Sequence, residues 1–242
     1  MTANRSTAVM QRRRVAPEAL DYFPTPPFAT RALCEFLEAN VTGCLKRRSV
    51  WEPACGELHM ARPLAEYFGT VRASDVHPYG GHEVTDFLFF GHGEPQTDWV
   101  ITNPPFRLAE AFVDTARKVA RGGVAMLLRS AWLEGEERLA NLFSKTPPDY
   151  VLQFAERVVM LEGRLIRKGA ADPFAEKPGT RASSATSYVW VIWLAEGGRA
   201  DTRLRWIAPC FERLERVGDY PSYGVATVDG PDSDLFDGGS AQ

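Results

Sequence analysis

Cysteine is scarce in this 242-residue sequence, and the four present, Cys34, Cys44, Cys55 and Cys210, form no CxxC pair. With no histidine at ligand spacing beside them they indicate neither a zinc site nor a disulfide framework, and no metal is expected. Long apolar runs are missing as well. No stretch approaches the roughly 20 apolar residues of a membrane span, and no apolar segment follows the arginines at positions 12–14. Neither a membrane anchor nor a secretory signal is expected, and the reading is a soluble, cytoplasmic protein that is a monomer or weak dimer. An excess of positive charge is also lacking. A formal net charge of -3 disfavours a general polyanion binder, because such binding rests on neutralising phosphates with Lys and Arg.

Positive residues nevertheless gather in places: at 12–14, at Lys46, Arg47 and Arg48, across Arg157, Arg164, Arg167, Lys168, Lys177 and Arg181, and from Arg199 to Arg216. Five aspartates and no Lys or Arg follow Arg216, so part of the acidity belongs to the tail. Residues 1–20 are polar, basic and aperiodic, which reads as a flexible arm. A hydrophobic content of 45% is enough for one α/β domain, assigned to residues 21–217. Residues 218–242, rich in Gly and Asp, are expected to be disordered.

Within the domain, Ala32, Leu33, Phe36 and Leu37 recur at helical spacing, and Val50 and Trp51 open a short strand that ends at Glu52. A turn follows at Pro53, Ala54, Cys55 and Gly56. Helical spacing resumes through Met60, Leu64, Ala65 and Phe68, and a second strand ends on Asp75, which completes a βαβ unit. Further on, the pattern predicts a strand over 99–102, a helix over 109–120, a turn at Gly122 and Gly123, and a buried strand to 128. A helix over 137–143 and strands over 150–154 and 188–194 complete the reading, with Trp190 and Trp193 as sheet core. Residues 163–184 have few apolar anchors and read as a long mobile loop that could contact a target. Such alternation favours a mostly parallel sheet with helices on both faces, whose ligands bind at the carboxyl ends of the strands. Glu52, Asp75 and Asn103 each fall at such an end.

Asn103-Pro104-Pro105-Phe106 follows its strand directly. Two prolines fix φ and remove two backbone donors, so a rigid loop can aim its carbonyls outward. Asn103 can then accept from a substrate amino group while the Pro104 carbonyl accepts the other N–H. Phe106 offers a flat face on which a planar group can stack. The four histidines show no partner pattern for a metal or a nucleophile.

This tetrapeptide resembles the Asp/Asn/Ser-Pro-Pro-Tyr/Phe/Trp signature of the amino-methyltransferases of DNA, in particular phage-type adenine-N6 enzymes. The segment from Asp21 to Pro27 resembles the part of those enzymes that lies beside the methionine end of the cofactor. Glu52-Pro53-Ala54-Cys55-Gly56 resembles their cofactor loop, Asp75 their acidic residue after the second strand, and Thr85-Asp86-Phe87-Leu88 the segment that holds the cofactor's adenine. Residues 153–158 and 184–188 also resemble phage-type members.

The resemblance implies a Rossmann-like class I methyltransferase fold: α/β, a mostly parallel seven-stranded sheet, helices on both faces and an antiparallel strand near the C-terminal end. It implies S-adenosylmethionine bound by Tyr22, Pro24, Thr25, Glu52, Pro53, Ala54, Cys55, Gly56, Asp75, Asp86, Phe87 and Asn103. Catalysis falls to Asn103, Pro104, Pro105 and Phe106, and contact with the substrate to Phe106, Arg157 and Tyr188. The implied reaction is methylation of N6 of a flipped-out adenine in DNA, with weak or short-site specificity, since little chain is left for a recognition domain. An RNA base is a less favoured partner. Protein glutamine presents a similar planar nitrogen, and a catalytically silent nucleic-acid-binding homologue is a further alternative. One position departs from the family: its usual Gly-x-Gly here reads Gly56-Glu57-Leu58, which places a side chain where the cofactor is expected to pass and implies weakened binding.

Overall fold

The computed structural model describes residues 21–90, 96–195 and 201–223. The basic arm expected over 1–20 and positions 224–242 of the acidic tail lie outside these residues. Eight strands form one sheet: β1 Ser49–Glu52, β2 Thr70–Asp75, β3 Glu83–Val84, β4 Thr97–Thr102, β5 Ala120–Arg129, β6 Tyr150–Phe154, β7 Tyr188–Leu194 and β8 Arg203–Ile207. Their order is β3-β2-β1-β4-β5-β7-β6-β8. β7 runs antiparallel to both β5 and β6, and the remaining pairs are parallel. The expected seven strands are therefore eight. β8 joins β6 in parallel at the edge, with Leu204, Arg205 and Trp206 exposed, so like the two-residue, exposed β3 it lacks the buried apolar run by which longer strands were readable.

The pleat sorts side chains to two faces. Val50, Ile101, Ala125, Leu127, Trp190 and Ile192 enter one core, whereas Trp51, Val100, Met126, Leu128, Val191 and Trp193 enter the other. Two helices, α1 (Pro27–Leu37) and α2 (Ala61–Tyr67), cover the first face, and α3 (Ala109–Val119) covers the second. Pro27 suits the first position of α1, where its missing N–H leaves no hydrogen bond unmade. The buried guanidinium of Arg31 holds α1 to the chain beyond it, donating to Glu66, to Asp219 and to the Leu214 carbonyl.

α3 passes into β5 at Ala120 without the glycine turn expected there. Gly122 and Gly123 lie within β5, where a Cβ on Gly123 would come within 2.7 Å of the Trp99 ring and one on Gly122 within 2.8 Å of the Asp98 carbonyl oxygen. These glycines serve close approach of neighbours rather than a turn. Residues 163–184 close on themselves through an Arg164–Asp172 ion pair of 2.7 Å, an Ala171–Arg181 bridge, and burial of Ile166 and Ala182 against Val159.

Candidate active site

The carboxyl ends of β1, β2 and β4 open on one cavity of about 210 Å³. Tyr22, Phe23, Pro24 and Thr25 wall it from the entry segment, and Glu52, Pro53, Ala54 and Cys55 from the loop after β1. Asp75 and Asp86 line it with Phe87, and Asn103 and Pro105 close it on the β4 side. Apart from Phe23, these residues are expected from separate parts of the sequence, and the fold brings them together.

Hydrogen bonds to the backbone hold the wall in shape. Asp75 accepts from Gly56 N and from His77 N, each at 2.9 Å, which ties the β1 loop to the end of β2. Asp86 accepts from Leu88 N at 2.9 Å and caps the turn that buries Phe87, itself set edge-on to Trp51. Glu52 is buried, and one of its oxygens finds no partner among the described residues. Burial, followed by the charge of Asp75, pushes its carboxyl well above the usual range.

Asn103 donates through Nδ2 to the Phe23 carbonyl at 2.7 Å, while its buried Oδ1 has no partner among the described residues. The amide orientation follows from that bond. Pro104 is buried behind it. The Phe106 N–H donates to Asp21 Oδ2 at 2.7 Å, which fixes the loop over the entry segment. The Phe106 ring meets Phe23 at 5.6 Å and Tyr188 at 6.3 Å between centroids, and the Arg129 guanidinium lies over it at 4.2 Å.

Five expected residues do not line the cavity: Gly56, Pro104, Phe106, Arg157 and Tyr188. Pro104 and Tyr188 are buried, and the Phe106 ring packs on Tyr188. Gly56 (φ +50°) packs behind the Tyr22 ring, where a Cβ would fall 2.4 Å from the ring, so it shapes the wall without lining it. Arg157 borders a second cavity of about 260 Å³, beyond Tyr188. Leu58 also departs from expectation. Its backbone keeps the left-handed conformation natural to glycine (φ +69°), but its Cδ1 points at Gly81 and the side chain does not line the cavity.

Sequence reasoning placed the segment of Asp21 and Phe23 but gave those two residues no role, and it missed His59, Tyr79 and Arg129. His59 lines the cavity, and burial lowers its pKa. Tyr79 reaches across to Tyr22, ring centroids 4.9 Å apart. Arg129 ends β5, so the strand-end rule that singled out Glu52, Asp75 and Asn103 could have found it. The contacts of Asp21 and Phe23 depend on pairings across some 80 residues, for which the sequence carries no signal.

No protein-family model matches the sequence, and no curated protein matches it. Among solved structures, the chain is similar to an RNA methyltransferase candidate from Pyrococcus horikoshii, at 16% identity and a TM-score of 0.50 over 72% of this chain and 87% of that one. It is also similar to the methyltransferase subunit of a type I restriction-modification system from Streptococcus thermophilus, at 12% identity and a TM-score of 0.53 over 76% of this chain. The match spans about half of that subunit, 47% of its length. At these identities the likeness is one of fold, and the fold is the Rossmann-like class I methyltransferase fold, its sheet extended at one edge by β8.

Proposed function

We propose that the protein transfers a methyl group from S-adenosylmethionine to the exocyclic N6 of adenine in DNA. The observation that carries this reading is the buried, unpartnered Oδ1 of Asn103, held at the cavity by the bond from Nδ2 to Phe23. A buried acceptor without a partner is costly to keep, and an amino group arriving from a substrate would satisfy it.

The cavity fits the cofactor. It combines an apolar wall at Phe87 and Pro24 with carboxylates at Asp75 and Asp86, and the unpartnered Glu52 oxygen awaits a polar group. Tyr22, Thr25, Pro53, Ala54 and Cys55 complete the surface that would hold it. When bound, S-adenosylmethionine supplies an electrophilic methyl group on a sulfonium.

An adenine amino nitrogen is a weak nucleophile because its lone pair is delocalised into the ring. Asn103 Oδ1 and the Pro104 carbonyl accept its two N–H bonds and favour the pyramidal nitrogen whose lone pair is free to attack. One N–H proton is lost once the new bond has formed, so no base is needed beforehand. Rate then comes from positioning. Phe106 offers a stacking face that offsets part of the few kcal/mol needed to flip the base from a duplex. No sizeable recognition domain is present among the described residues, which supports weak or short-site specificity.

The choice of DNA over RNA rests on the likeness of residues 21–27, 153–158 and 184–188 to phage-type enzymes. Sequencing of DNA and of RNA incubated with protein and cofactor, beside the Asn103→Ala variant, tests it. Modified adenine in DNA alone, absent with the variant, is the expected result. Modified RNA or glutamine would move the substrate and spare the chemistry, and no modification of any of them would overturn the reading.

A further inference from the structure

We infer that Arg129 and Arg157 form a phosphate-binding strip beside the target pocket, which grips the phosphodiester backbone of the strand that carries the target base. This rests on the reading of the Asn103 cavity as the catalytic site. Three features draw the strip. Arg129 is the cross-strand partner of Tyr188 in the β5–β7 register. Ser187, the next residue, accepts from Arg157 Nη1 at 2.5 Å, and the Ala185 carbonyl accepts from the same nitrogen at 3.2 Å. Beside Arg157 opens the second cavity, of about 260 Å³, bordered by Gln153, Glu156, Arg157, Ser187 and Tyr188.

The two cations differ from their neighbours. Arg164, Arg167 and Lys168 are each neutralised by a carboxylate, as are Arg121 and Arg138 on β5 and after it. Arg129 and Arg157, both exposed, make no ion pair among the described residues. Each is instead oriented by neutral groups, Arg129 by the faces of Phe106 and Phe23 and Arg157 by Ser187, so the charge stays available while the side chain is held. The carboxylates nearby are already occupied. Asp21 accepts from Phe106 N, and Glu156 accepts from Lys168 and from the N–H groups of Cys210 and Phe211. A planar guanidinium with free donors is suited to bidentate contact with a phosphate. Arg129 stands over the stacking ring, and Arg157 lies beyond Tyr188 on the other side, as contacts to phosphates flanking one splayed nucleotide require.

Fluorescence anisotropy with a short labelled single-stranded oligodeoxynucleotide carrying one central adenine tests the strip without needing methyl transfer. Arg129→Gln and Arg157→Gln are each expected to weaken binding by about tenfold and to lower the slope of log K against log salt by about 0.7. Arg129→Lys and Arg157→Lys should restore most of the slope. Arg121→Gln, at the opposite end of β5, should leave both quantities unchanged. An oligoribonucleotide of the same sequence identifies the sugar: equal losses in both arms mean that the strip reads phosphate alone, and a loss in one arm names the strand it serves. Unchanged affinity and slope in both Gln variants would overturn the inference, as would wild-type protein that binds neither strand. Loss of binding in the variants from a protein that methylates nothing would leave the strip standing and remove the catalytic reading instead.

Discussion

The side chain of Asn103 and the carbonyl of Phe23 are joined by a 2.7 Å hydrogen bond that decides which atom of the amide faces the cavity. With Nδ2 committed to the backbone, Oδ1 is left as an acceptor. Asn103→Ala is therefore expected to abolish methyl transfer and to leave cofactor binding, read by calorimetry, within a few fold of wild type. Asn103→Asp separates the two halves of the amide. It keeps an acceptor but sets a carboxylate against the Phe23 carbonyl, which costs about 1–3 kcal/mol for the unpaired group. Its turnover should fall between wild type and the Ala variant, with a lower unfolding midpoint.

Leu58 is the only non-glycine residue with positive φ among the described residues. A left-handed conformation costs a side-chain-bearing residue roughly 1–2 kcal/mol. Leu58→Gly should therefore be more stable than Leu58→Ala by about 1 kcal/mol, after allowance for glycine's greater freedom in the unfolded chain. Thermal unfolding of the two variants checks this. Because the side chain points at Gly81 and away from the cavity, neither variant should change cofactor affinity more than about threefold, under 1 kcal/mol. A large gain in affinity for Leu58→Gly would restore the expectation that leucine obstructs the ligand.

That expectation shows where sequence reading stopped. The Gly-x-Gly comparison located the loop but not the direction of the side chain, which the packing of residues 76–82 sets. Trp190 was legible as core because it lies in a continuous aromatic and β-branched run, and it is fully buried with its indole N–H on the Ala29 carbonyl. β8 was not picked out, since its short alternation of Arg203, Leu204, Arg205 and Trp206 lies at the sheet edge with both apolar residues exposed. Gly122 and Gly123 gave a correct signal with two physical meanings, turn or close approach, and only the Trp99 ring selects between them. The strand ends at Glu52, Asp75 and Asn103 were readable as the places that meet at one cavity. The Asp21–Phe106 bond, across 85 positions, was not.

Arg31 supports the face of the sheet opposite α3. Its guanidinium is almost wholly buried and pairs with Glu66 at 2.7 Å and Asp219 at 2.6 Å. Arg31→Met leaves the Asp219 carboxylate buried without a cation, a change expected to cost about 3–5 kcal/mol. Chemical denaturation should show this loss, and addition of Asp219→Asn should recover part of it.

Glu52 gives the fold a pH dependence with a definite sign. Burial first, and the Asp75 charge second, raise its folded pKa well above that of the unfolded chain. The folded state thus holds a proton that the unfolded state releases as pH climbs past the ordinary carboxylate value. The stability contributed by Glu52 is present in full below that value and declines as pH rises toward the folded pKa. Glu52→Gln mimics the protonated form and has nothing to lose over this range. Denaturation midpoints of wild type and variant should lie close together in mild acid, and the variant should gain on wild type as pH increases. A constant difference at every pH would mean that Glu52 titrates alike in the folded and unfolded chains.

Phe106 decides whether the site holds a planar ring. Its face is positioned by Phe23, Tyr188 and Arg129 and by the backbone bond to Asp21. Base–aromatic stacking contributes about 1–3 kcal/mol per base, so Phe106→Ala should raise KM for an adenine-containing strand by about tenfold to a hundredfold. Phe106→Tyr keeps the ring and should stay near wild type. Fluorescence of 2-aminopurine at the target position reads the same contact without turnover: wild type should quench a base stacked in the site, and the Ala variant should leave it bright. Equal quenching in both would place the stacking face elsewhere in the pocket, with Phe23, which lines the cavity beside Phe106, as the ring to remove next.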